Sequence, residues 1–333
     1  MDKIPQSAAV NEAVKIIKKS NENRNSGYVN AVLRSAAVKK AELPAGKDLY
    51  SLSVRYSCPQ WILKDLIKDY GAEQTEEILK AYLLPSRVSI RVNTLKTDLK
   101  QLEKSLNEEG IGVSDNSLED SFDFASGIDL SKNTLFNQGL FHIQDVSSQK
   151  CALSLCAEKG ERILDVCAAP GGKSFTVAQT MEDKGEIISC DLYENRVSLI
   201  QKGASRLGIT CIKAIKNDAS VYNRELGLFD AVLCDVPCSG FGVIGRKPEI
   251  KYKSVDNFDE LQGIQLKILN VSARYVKKGG RLLYSTCTIR KAENEDIVNS
   301  FLKDNNEFRC EYMHTDLPSS DSDGFFRALL YKA

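Results

Sequence analysis

The apolar positions of this 333-residue chain follow two different periodicities, and the change falls near residue 138. Before that point they recur mainly at the spacing of amphipathic helices, as Val10, Val14 and Ile17 do. After it, short apolar runs typical of buried strands alternate with amphipathic helical stripes. Strands are predicted over residues 162–167, 186–191, 211–215, 229–235 and 281–287. This alternation predicts an α/β domain over residues 138–333, built on a parallel, doubly wound sheet with helices on both faces.

The chain before this domain divides near Pro44 and Gly46, where turn-forming residues cluster. Residues 1–47 are predicted to form two amphipathic helices, which bury little apolar surface by themselves. Residues 48–137 are predicted to form a small α+β module whose first long helix ends at Gly71. The strand near residue 90 alternates apolar and polar side chains. It is therefore predicted to be half exposed, with Arg91 and Asn93 on its open face.

Composition excludes some classes of protein and leaves others open. The 45 Lys and Arg residues balance 45 Asp and Glu residues, so net charge does not indicate nucleic-acid binding. The basic cluster around Arg246 and Lys247 permits RNA contact, although such clusters are more often solvated surface. No apolar run reaches the ~18 residues that a bilayer span needs, and the N-terminus has no signal-peptide core. Ten cysteines without a CxxC pair predict reduced thiols in a cytoplasmic protein, with no metal site and no membrane partner.

Residues 162–174, with the sequence RILDVCAAPGGKS, predict a ligand loop between a strand and a helix. Glycines let the backbone approach a ligand closely, and the free N–H groups of a helix start favour anionic groups. The loop alone is also compatible with a structural turn. Asp191, Asp218 and Asp235 follow the next predicted strands. Asp191 is suited to accept from ribose hydroxyls, and Asp218 from an adenine amino group. One such Asp is often only a cap, but three at successive strand ends favour a nucleoside-containing ligand.

The spacing of the loop narrows the choice of cofactor. Gly172, Lys173 and Ser174 match the end of a P-loop, but the first glycine that a P-loop requires falls on Cys167. The GxGxxG sequence of nicotinamide sites is absent as well. S-adenosylmethionine, which contains adenosine without phosphates, fits the pattern better. A P-loop-like NTPase stays open as the weaker alternative.

Two cysteines stand at the ends of adjacent predicted strands, Cys238 in DVPCSG and Cys287 in STC, and we expect both thiols to face one cleft. Free cysteines are usually inert small hydrophobes, but these two lie among Pro, Gly, Ser and Thr. Carbon-5 of a pyrimidine is a poor nucleophile. A thiolate that adds to carbon-6 makes carbon-5 able to attack an electrophilic methyl group. This chemistry needs a Cys, a nearby acid for the ring and a methyl donor.

The set DVCAAPGGK, DVPCSG and STC resembles the RNA cytosine-C5 methyltransferases of the NOL1/NOP2/Sun family, and the likeness to its bacterial ribosomal members begins near Tyr28. The resemblance implies a Rossmann-like methyltransferase fold and a monomer that methylates a cytosine of RNA, most often 16S ribosomal RNA. It implies that Cys287 is the nucleophile, that Cys238 helps to break down the adduct, and that Asp235 lies beside the base. It implies that Lys173 orients Asp235 or contacts RNA. The residues implied for S-adenosylmethionine are Cys167, Ala168, Ala169, Pro170, Gly171, Gly172, Lys173, Asp191, Arg196, Asp218 and Asp235. Those implied for RNA are Arg91, Asn93, Arg246 and Lys247.

The chain departs from this family at its N-terminus. Family members of this type carry a complete NusB-like helical domain before the region that matches Tyr28, and we expect only about the last two of its helices here. The departure bears on substrate affinity and on the stability of the N-terminal region, not on the catalytic residues. A non-catalytic RNA-binding or ribosome-assembly protein with the same fold is the second alternative, against which the intact Cys287, Cys238 and Asp235 argue.

Overall fold

The computed structural model describes residues 4–38, 42–85, 87–125, 129–253 and 258–333. Its helices are α1 Gln6–Lys19, α2 Ser26–Val38, α3 Leu49–Arg55, α4 Gln60–Ala81, α5 Leu99–Glu108, α6 Thr134–Asn137, α7 Val146–Leu153, α8 Gly172–Thr180, α9 Glu194–Leu207, α10 Phe258–Ala273 and α11 Glu295–Asp304. Its strands are β1 Ser89–Val92, β2 Val113–Asp115, β3 Ser121–Phe124, β4 Phe141–Ile143, β5 Arg162–Asp165, β6 Glu186–Asp191, β7 Ile212–Lys216, β8 Phe229–Asp235, β9 Val276–Thr286, β10 Phe308–Asp316 and β11 Phe325–Lys332. The chain forms two compact units, Met1–Gln60 and Trp61–Ala333.

Within the described residues, the larger sheet has seven strands in the order β10-β11-β9-β8-β5-β6-β7. The strands from β9 to β7 pair in parallel, and β11 and β10 extend the sheet in antiparallel fashion at one edge. The predicted sheet is confirmed, and β6 and β8 have the predicted bounds. By contrast, β5 ends at Asp165 rather than at residue 167, and β9 begins at Val276 rather than at residue 281. Because β5 lies between β6 and β8, the strand order reverses there, at the kind of point where ligands bind in such sheets.

Helices cover both faces of this sheet, as the alternating pattern predicts. On one face α8 and α9 bury Phe175, Ile200 and Leu207. On the other face α10 and α11 bury Leu269 and Phe301. Burial on both faces explains the nearly continuous apolar sequences of the central strands. It also leaves the carboxyl ends of the strands as the edge where polar side chains can reach a ligand.

The small sheet has the order β2-β3-β1-β4, with antiparallel neighbours throughout. The prediction of a half-exposed strand near residue 90 is wrong, because every residue of β1 is buried. The apolar side of this strand packs with α5, through Leu102 and Leu106. The polar end is covered by α9, where Asn93 Nδ2 donates to the carbonyl of Leu207 at 2.8 Å. The pairing of β4 with β1 carries the small sheet past residue 137, where the boundary was predicted. The division into three domains stays a prediction.

The unit Met1–Gln60 contains the two predicted amphipathic helices, α1 and α2, and then α3. Asp48 caps α3, since its Oδ1 accepts from the backbone N–H of Ser51 at 3.1 Å. Arg55 Nη2 donates to the carbonyls of Pro44 and Gly46, each at 2.7 Å, and so holds the turn that precedes α3. In the described ranges, no helix combines the length and the apolar character needed to cross a membrane.

Candidate active site

The predicted ligand loop connects β5 to α8, and its glycine at position 171 is required for packing. Gly171 has φ +113°, and a Cβ there would lie 2.3 Å from Cζ of Phe175. A Cβ on Gly203 of α9 would lie 2.4 Å from the same atom. The ring of Phe175 is therefore held between the loop and α9, and it fixes the loop above the sheet. Gly171 serves this packing; it does not line either of the recesses described below.

The two side chains that would bind phosphate in a P-loop, Ser174 and Lys173, form hydrogen bonds within the protein instead. Ser174 is 1% exposed. Its Oγ donates to Asp165 Oδ2 at 2.7 Å and accepts from Ser189 Oγ at 2.8 Å. Lys173 Nζ donates to Asp235 Oδ2 at 2.7 Å. Neither the hydroxyl nor the ammonium group is free for a nucleotide phosphate or its metal ion, which contradicts the NTPase alternative.

Asp235 is fixed through both of its carboxylate oxygens. Oδ2 accepts from Lys173, and Oδ1 accepts from Ser285 Oγ at 2.8 Å. Burial acts to lower the pKa of Lys173, but the carboxylate of Asp235 and its acidic neighbours raise that pKa above its ordinary value, so the ammonium group stays charged. The sequence analysis missed Ser285. The signal was available, because β8 and β9 are adjacent parallel strands and Asp235 pairs with Ser285 in register.

The two predicted thiols lie in contact, with Cys238 Sγ 3.2 Å from Cys287 Sγ. A hydrogen bond from the Cys238 thiol lowers the pKa of Cys287, against the opposing effects of burial and of Asp235. The same hydrogen bond, together with burial, raises the pKa of Cys238 well above its ordinary value. The pair therefore consists of one sulfur biased toward thiolate and one biased toward thiol. A sulfur in the thiolate form, and not in the thiol form, is able to act as a nucleophile.

A cleft of about 570 Å³ joins these thiols to the predicted cofactor residues. It is lined by Cys167, Ala169, Asp191, Arg196, Asp218, Asp235, Cys238 and Cys287, with an apolar wall that includes Val236, Pro237 and Ile268. A smaller recess of about 250 Å³ shares part of this lining and is bounded by Ala168, Pro170, Gly172 and Lys173. The larger cleft offers carboxylate acceptors and an apolar surface for a ring. This donor set suits a nucleoside with hydroxyl and amino groups.

Asp191 and Arg196 are held against the loop. Tyr193 N donates to Asp191 Oδ1 at 3.2 Å. Arg196 Nη1 lies 3.4 Å from Asp191 Oδ2, and its Nη2 donates to the carbonyl of Ala169 at 2.8 Å. Arg196 thus connects the loop to the strand end that carries Asp191. Asp218, by contrast, has an exposed side chain on the cleft wall, and one of its oxygens accepts from Ser220 N at 2.9 Å.

The structure contradicts two of the four RNA-contact predictions, and it engages a third residue, Arg246, in ion pairs. Arg91 and Asn93 are 5% and 0% exposed, so neither can reach a ligand of the size of RNA. Arg246 is held by two carboxylates: Nη2 donates to Asp145 at 2.7 Å, and Nε lies 2.6 Å from Asp323. The spacing of polar residues could not reveal the burial of Arg91 and Asn93, because the groups that cover them come from distant parts of the chain. The fourth residue, Lys247, has an exposed side chain.

The seven-stranded mixed sheet, the loop after β5 and the carboxylate at the end of β6 together define a Rossmann-like methyltransferase fold. The model of the 16S rRNA methyltransferase RsmB/F family matches residues 152–330, that of an RsmF/B-like, ferredoxin-like domain matches residues 58–132, and that of the NusB family matches residues 1–38. The chain belongs to the 16S rRNA methyltransferase RsmB/F family, and the NusB-like character predicted for its N-terminal region is confirmed.

Individual relatives agree with this family. The probable ribosomal RNA small subunit methyltransferase B of Bacillus subtilis (strain 168) is 39% identical over 316 residues, which cover 92% of this chain and 70% of the relative. Ribosomal RNA small subunit methyltransferase B of Proteus mirabilis (strain HI4320) is 31% identical over 336 residues, 99% of this chain and 78% of the relative. The crystal structure of PH0851 has a TM-score of 0.87 and 29% identity, and the match covers 98% of this chain and 77% of that one.

Proposed function

We propose that this chain transfers a methyl group from S-adenosylmethionine to carbon-5 of a cytosine in small-subunit ribosomal RNA. The observation that carries the proposal is the 3.2 Å contact of two thiols that follow adjacent strands, in the same cleft as Asp235. Structural cysteines are typically inert and separate. A polarised pair in a ligand cleft suits a reaction in which one sulfur attacks and the other assists its departure. The family match and the names of the relatives support ribosomal RNA as the substrate.

In the proposed reaction, Cys287 Sγ attacks carbon-6 of the cytosine as a thiolate, which breaks the carbon-5–carbon-6 double bond. The hydrogen bond from Cys238 favours this thiolate before substrate binds. Asp235 has its carboxylate fixed by Lys173 and Ser285, so it can hold the amino edge of the base without reorganising. Bound S-adenosylmethionine supplies the electrophilic methyl group for carbon-5.

Release of the product requires a base, such as a water molecule in the open cleft, to take the proton of carbon-5. The electrons of that C–H bond then re-form the carbon-5–carbon-6 double bond, and Cys287 leaves carbon-6 as a thiolate. Cys238 lies 3.2 Å from the departing sulfur, and its thiol can donate a hydrogen bond as negative charge returns to that atom. This hydrogen bond is the physical reason to assign Cys238 a part in breakdown of the adduct, in addition to the support that it gives to the Cys287 thiolate before attack.

The residues that would hold the methyl donor follow from the cleft. Asp191 would accept from the ribose hydroxyls, and Asp218 from the adenine amino group. Residues 167–170, 172 and 173 would bring the backbone close to the donor, with Arg196 bracing the loop at Ala169. Lys247 is the one predicted RNA residue that we retain as a direct contact.

Two substitutions test the proposal. The Cys287→Ala variant should lose methyl transfer to ribosomal RNA, measured with a labelled methyl donor, because no group is left to activate carbon-5. The Cys238→Ala variant should accumulate a covalent protein–RNA adduct that survives denaturing electrophoresis. Cys310→Ala, a half-buried cysteine of β10 outside the cleft, is the matched control and should retain turnover. Full turnover by Cys287→Ala would overturn the mechanism, and absence of methyl transfer by the unmodified chain on any ribosomal RNA substrate would favour a non-catalytic role.

A further inference from the structure

Two neighbouring polar residues, Glu293 and Asn294, lie in the turn between β9 and α11, and both are 0% exposed. The proposed mechanism gives neither of them a role. Burying a carboxylate and an amide is costly unless each is fully engaged in hydrogen bonds. The hydrogen-bond partners of Glu293 and Asn294 therefore indicate the structural role of each residue.

Glu293 holds the segment that carries Cys238. Its Oε2 accepts from the backbone N–H of Ser239 at 2.9 Å and from Gln265 Nε2 at 2.9 Å. The same Gln265 nitrogen donates to the carbonyl of Pro237 at 2.9 Å. The residues immediately before and after Cys238 are thus tied to one carboxylate, directly or through one amide.

The charge of Glu293 is compensated within the same cluster. Arg290 Nη1 donates to Glu293 Oε1 at 3.0 Å, and Arg290 Nη2 lies 2.7 Å from Asp65 Oδ2. The guanidinium group also lies 4.4 Å from the ring centre of Phe258. A charged acceptor makes stronger hydrogen bonds than a neutral one, so this carboxylate holds its backbone donor firmly.

Asn294 holds the segment that carries Cys287 in the same manner. Its Oδ1 accepts from Thr286 Oγ1 at 2.6 Å, and its Nδ2 donates to the carbonyl of Thr288 at 3.0 Å. Again the residues on both sides of a thiol are engaged by one buried side chain. A hydrogen bond of 2.8 Å between Ser239 Oγ and Thr288 Oγ1 then joins the two segments directly.

We propose that Glu293 and Asn294 are positioning residues for the proposed reaction, Glu293 for Cys238 and Asn294 for Cys287, so that one buried turn sets the separation of the two thiols. Because consecutive residues of one turn hold the two segments, a shift of the turn moves both thiols together and preserves their contact. Loss of either side chain moves one thiol relative to the other. A misplacement of about 1 Å at a reacting group costs on the order of a hundredfold in rate.

The two residues should affect different steps, since this inference rests on the proposed function of the thiols. Glu293→Gln should form the protein–RNA adduct only severalfold more slowly, in line with a weaker Cys238 hydrogen bond, but should release it at least about tenfold more slowly, as a weaker form of Cys238→Ala. Asn294→Ala should slow adduct formation by about tenfold or more, and in a Cys238→Ala background it should slow accumulation of the adduct by the same factor. Gln265→Met and Thr286→Val remove single donors from the same two segments and should reproduce the two effects in milder form if the first variants fold poorly.

A measurement without RNA separates this inference from the proposed function. Alkylation of Cys287 by iodoacetamide at neutral pH, followed by peptide mass spectrometry, reports the thiolate that the Cys238 hydrogen bond favours. We expect alkylation to slow severalfold in both Glu293→Gln and Asn294→Ala. The matched controls are Glu161→Gln, which breaks an ion pair with Arg281 in the middle of β9, and Asn305→Ala, which removes hydrogen bonds to Phe301 and Asn270. Both controls should leave alkylation, adduct formation and release unchanged.

The outcomes are distinguishable. If the unmodified chain and Cys238→Ala form no adduct at all, the proposed function fails, whereas slower alkylation still supports the positioning role. If those two proteins behave as proposed but Glu293→Gln and Asn294→Ala react and release like the unmodified chain, the positioning role is overturned. Parallel losses of both steps in the site variants and in the controls, scaling with lost thermal stability, also overturn it.

Discussion

Asp165 is a buried carboxylate beneath the predicted ligand loop, with 2% of its surface exposed. Its Oδ2 accepts from Ser174, whereas its Oδ1 has no hydrogen-bond partner among the described residues. Burial, reinforced by the charge of Asp235, raises the pKa of Asp165 from 3.8 to about 7. A carboxyl group with such a pKa carries a proton over part of the physiological range and can then donate as well as accept.

The raised pKa of Asp165 makes stability depend on pH in a defined direction. The unfolded chain releases this proton near pH 4 and the folded chain near pH 7, so this group lowers stability as pH rises between those values. The Asp165→Asn variant lacks this effect. Its free energy of unfolding relative to the unmodified chain should increase by up to about 4 kcal/mol from about pH 4 to about pH 8, at about 1.4 kcal/mol per pKa unit. Urea unfolding across this range measures the difference.

Asp230→Asn is the control, because its effect on stability should change with pH in the opposite direction. Burial acts to raise the pKa of Asp230, but its hydrogen bond to Lys277 and further hydrogen bonding and charge lower that pKa overall. The stability that this carboxylate contributes is present above its unfolded pKa and is lost on acidification. The free energy of unfolding of Asp230→Asn, relative to that of the unmodified chain, should therefore decrease as pH rises. A difference for Asp165→Asn that does not change with pH would contradict the assignment.

At the scale of single elements, the sequence predicted most of what the structure contains in the larger domain. The bounds of β6 and β8 follow from apolar runs that both faces of the sheet bury. For β1 the alternation correctly placed polar residues on one side of the strand, but it carried no information on what covers that side. The cover comes from α9, 114 positions away from Asn93 along the chain. Periodicity predicts the face of a residue, and only tertiary packing determines whether that face meets solvent.

Because Phe175 packs between the predicted ligand loop and α9, we expect two glycine-to-alanine substitutions in helices, Gly203→Ala and Gly263→Ala, to change stability in opposite directions. Gly203→Ala improves helix propensity, but its Cβ would lie 2.4 Å from the Phe175 ring, which cannot retreat because Gly171 approaches it equally closely from the other side. We expect a loss of about 1–3 kcal/mol in the free energy of unfolding. Gly263→Ala in α10 meets no atom within 4 Å and should gain about 0.5–1 kcal/mol. Thermal or urea unfolding of the two variants tests the contrast, and equal effects would contradict it.

At the scale of the whole molecule, the site is assembled from strand ends that are far apart in sequence. The thiol contact was predictable because parallel neighbouring strands end at the same edge of a sheet. Which residues contact RNA was not predictable from the sequence, since a polar residue can equally make a contact inside the protein. Asn93 and Arg246 do so by joining distant elements, and their charge or polarity alone gave no sign of it.

If Asn93 joins the small sheet to α9, its loss should affect stability and not the ionic part of RNA binding. Its Nδ2 donates to the carbonyls of Gly139 and Leu207, each at 2.8 Å in a fully buried position. Asn93→Ala should therefore cost about 2–3 kcal/mol in unfolding free energy, since it removes two buried hydrogen bonds. The dependence of RNA affinity on salt concentration should stay unchanged. Asn137→Ala, an exposed amide of the same module, is the matched control and should cost less than about 1 kcal/mol.

Substitutions of the neighbouring residues Arg246 and Lys247 should have different effects on the free energy of unfolding and on the salt dependence of RNA affinity. Lys247 has an exposed side chain, no ion pair to it occurs within the described chain, and its charge contributes to the lowered pKa of Cys287. Lys247→Ala should weaken RNA binding, reduce the slope of log affinity against log salt by about 0.7–0.9, and leave stability nearly unchanged. Arg246→Ala leaves Asp145 and Asp323 facing each other without their shared cation. It should therefore destabilise the fold by about 1–3 kcal/mol, less than the loss of a fully buried ion pair, because these ion pairs are only partly buried. If Arg246→Ala instead changed the salt slope at unaltered stability, its ion pairs would be secondary to RNA contact.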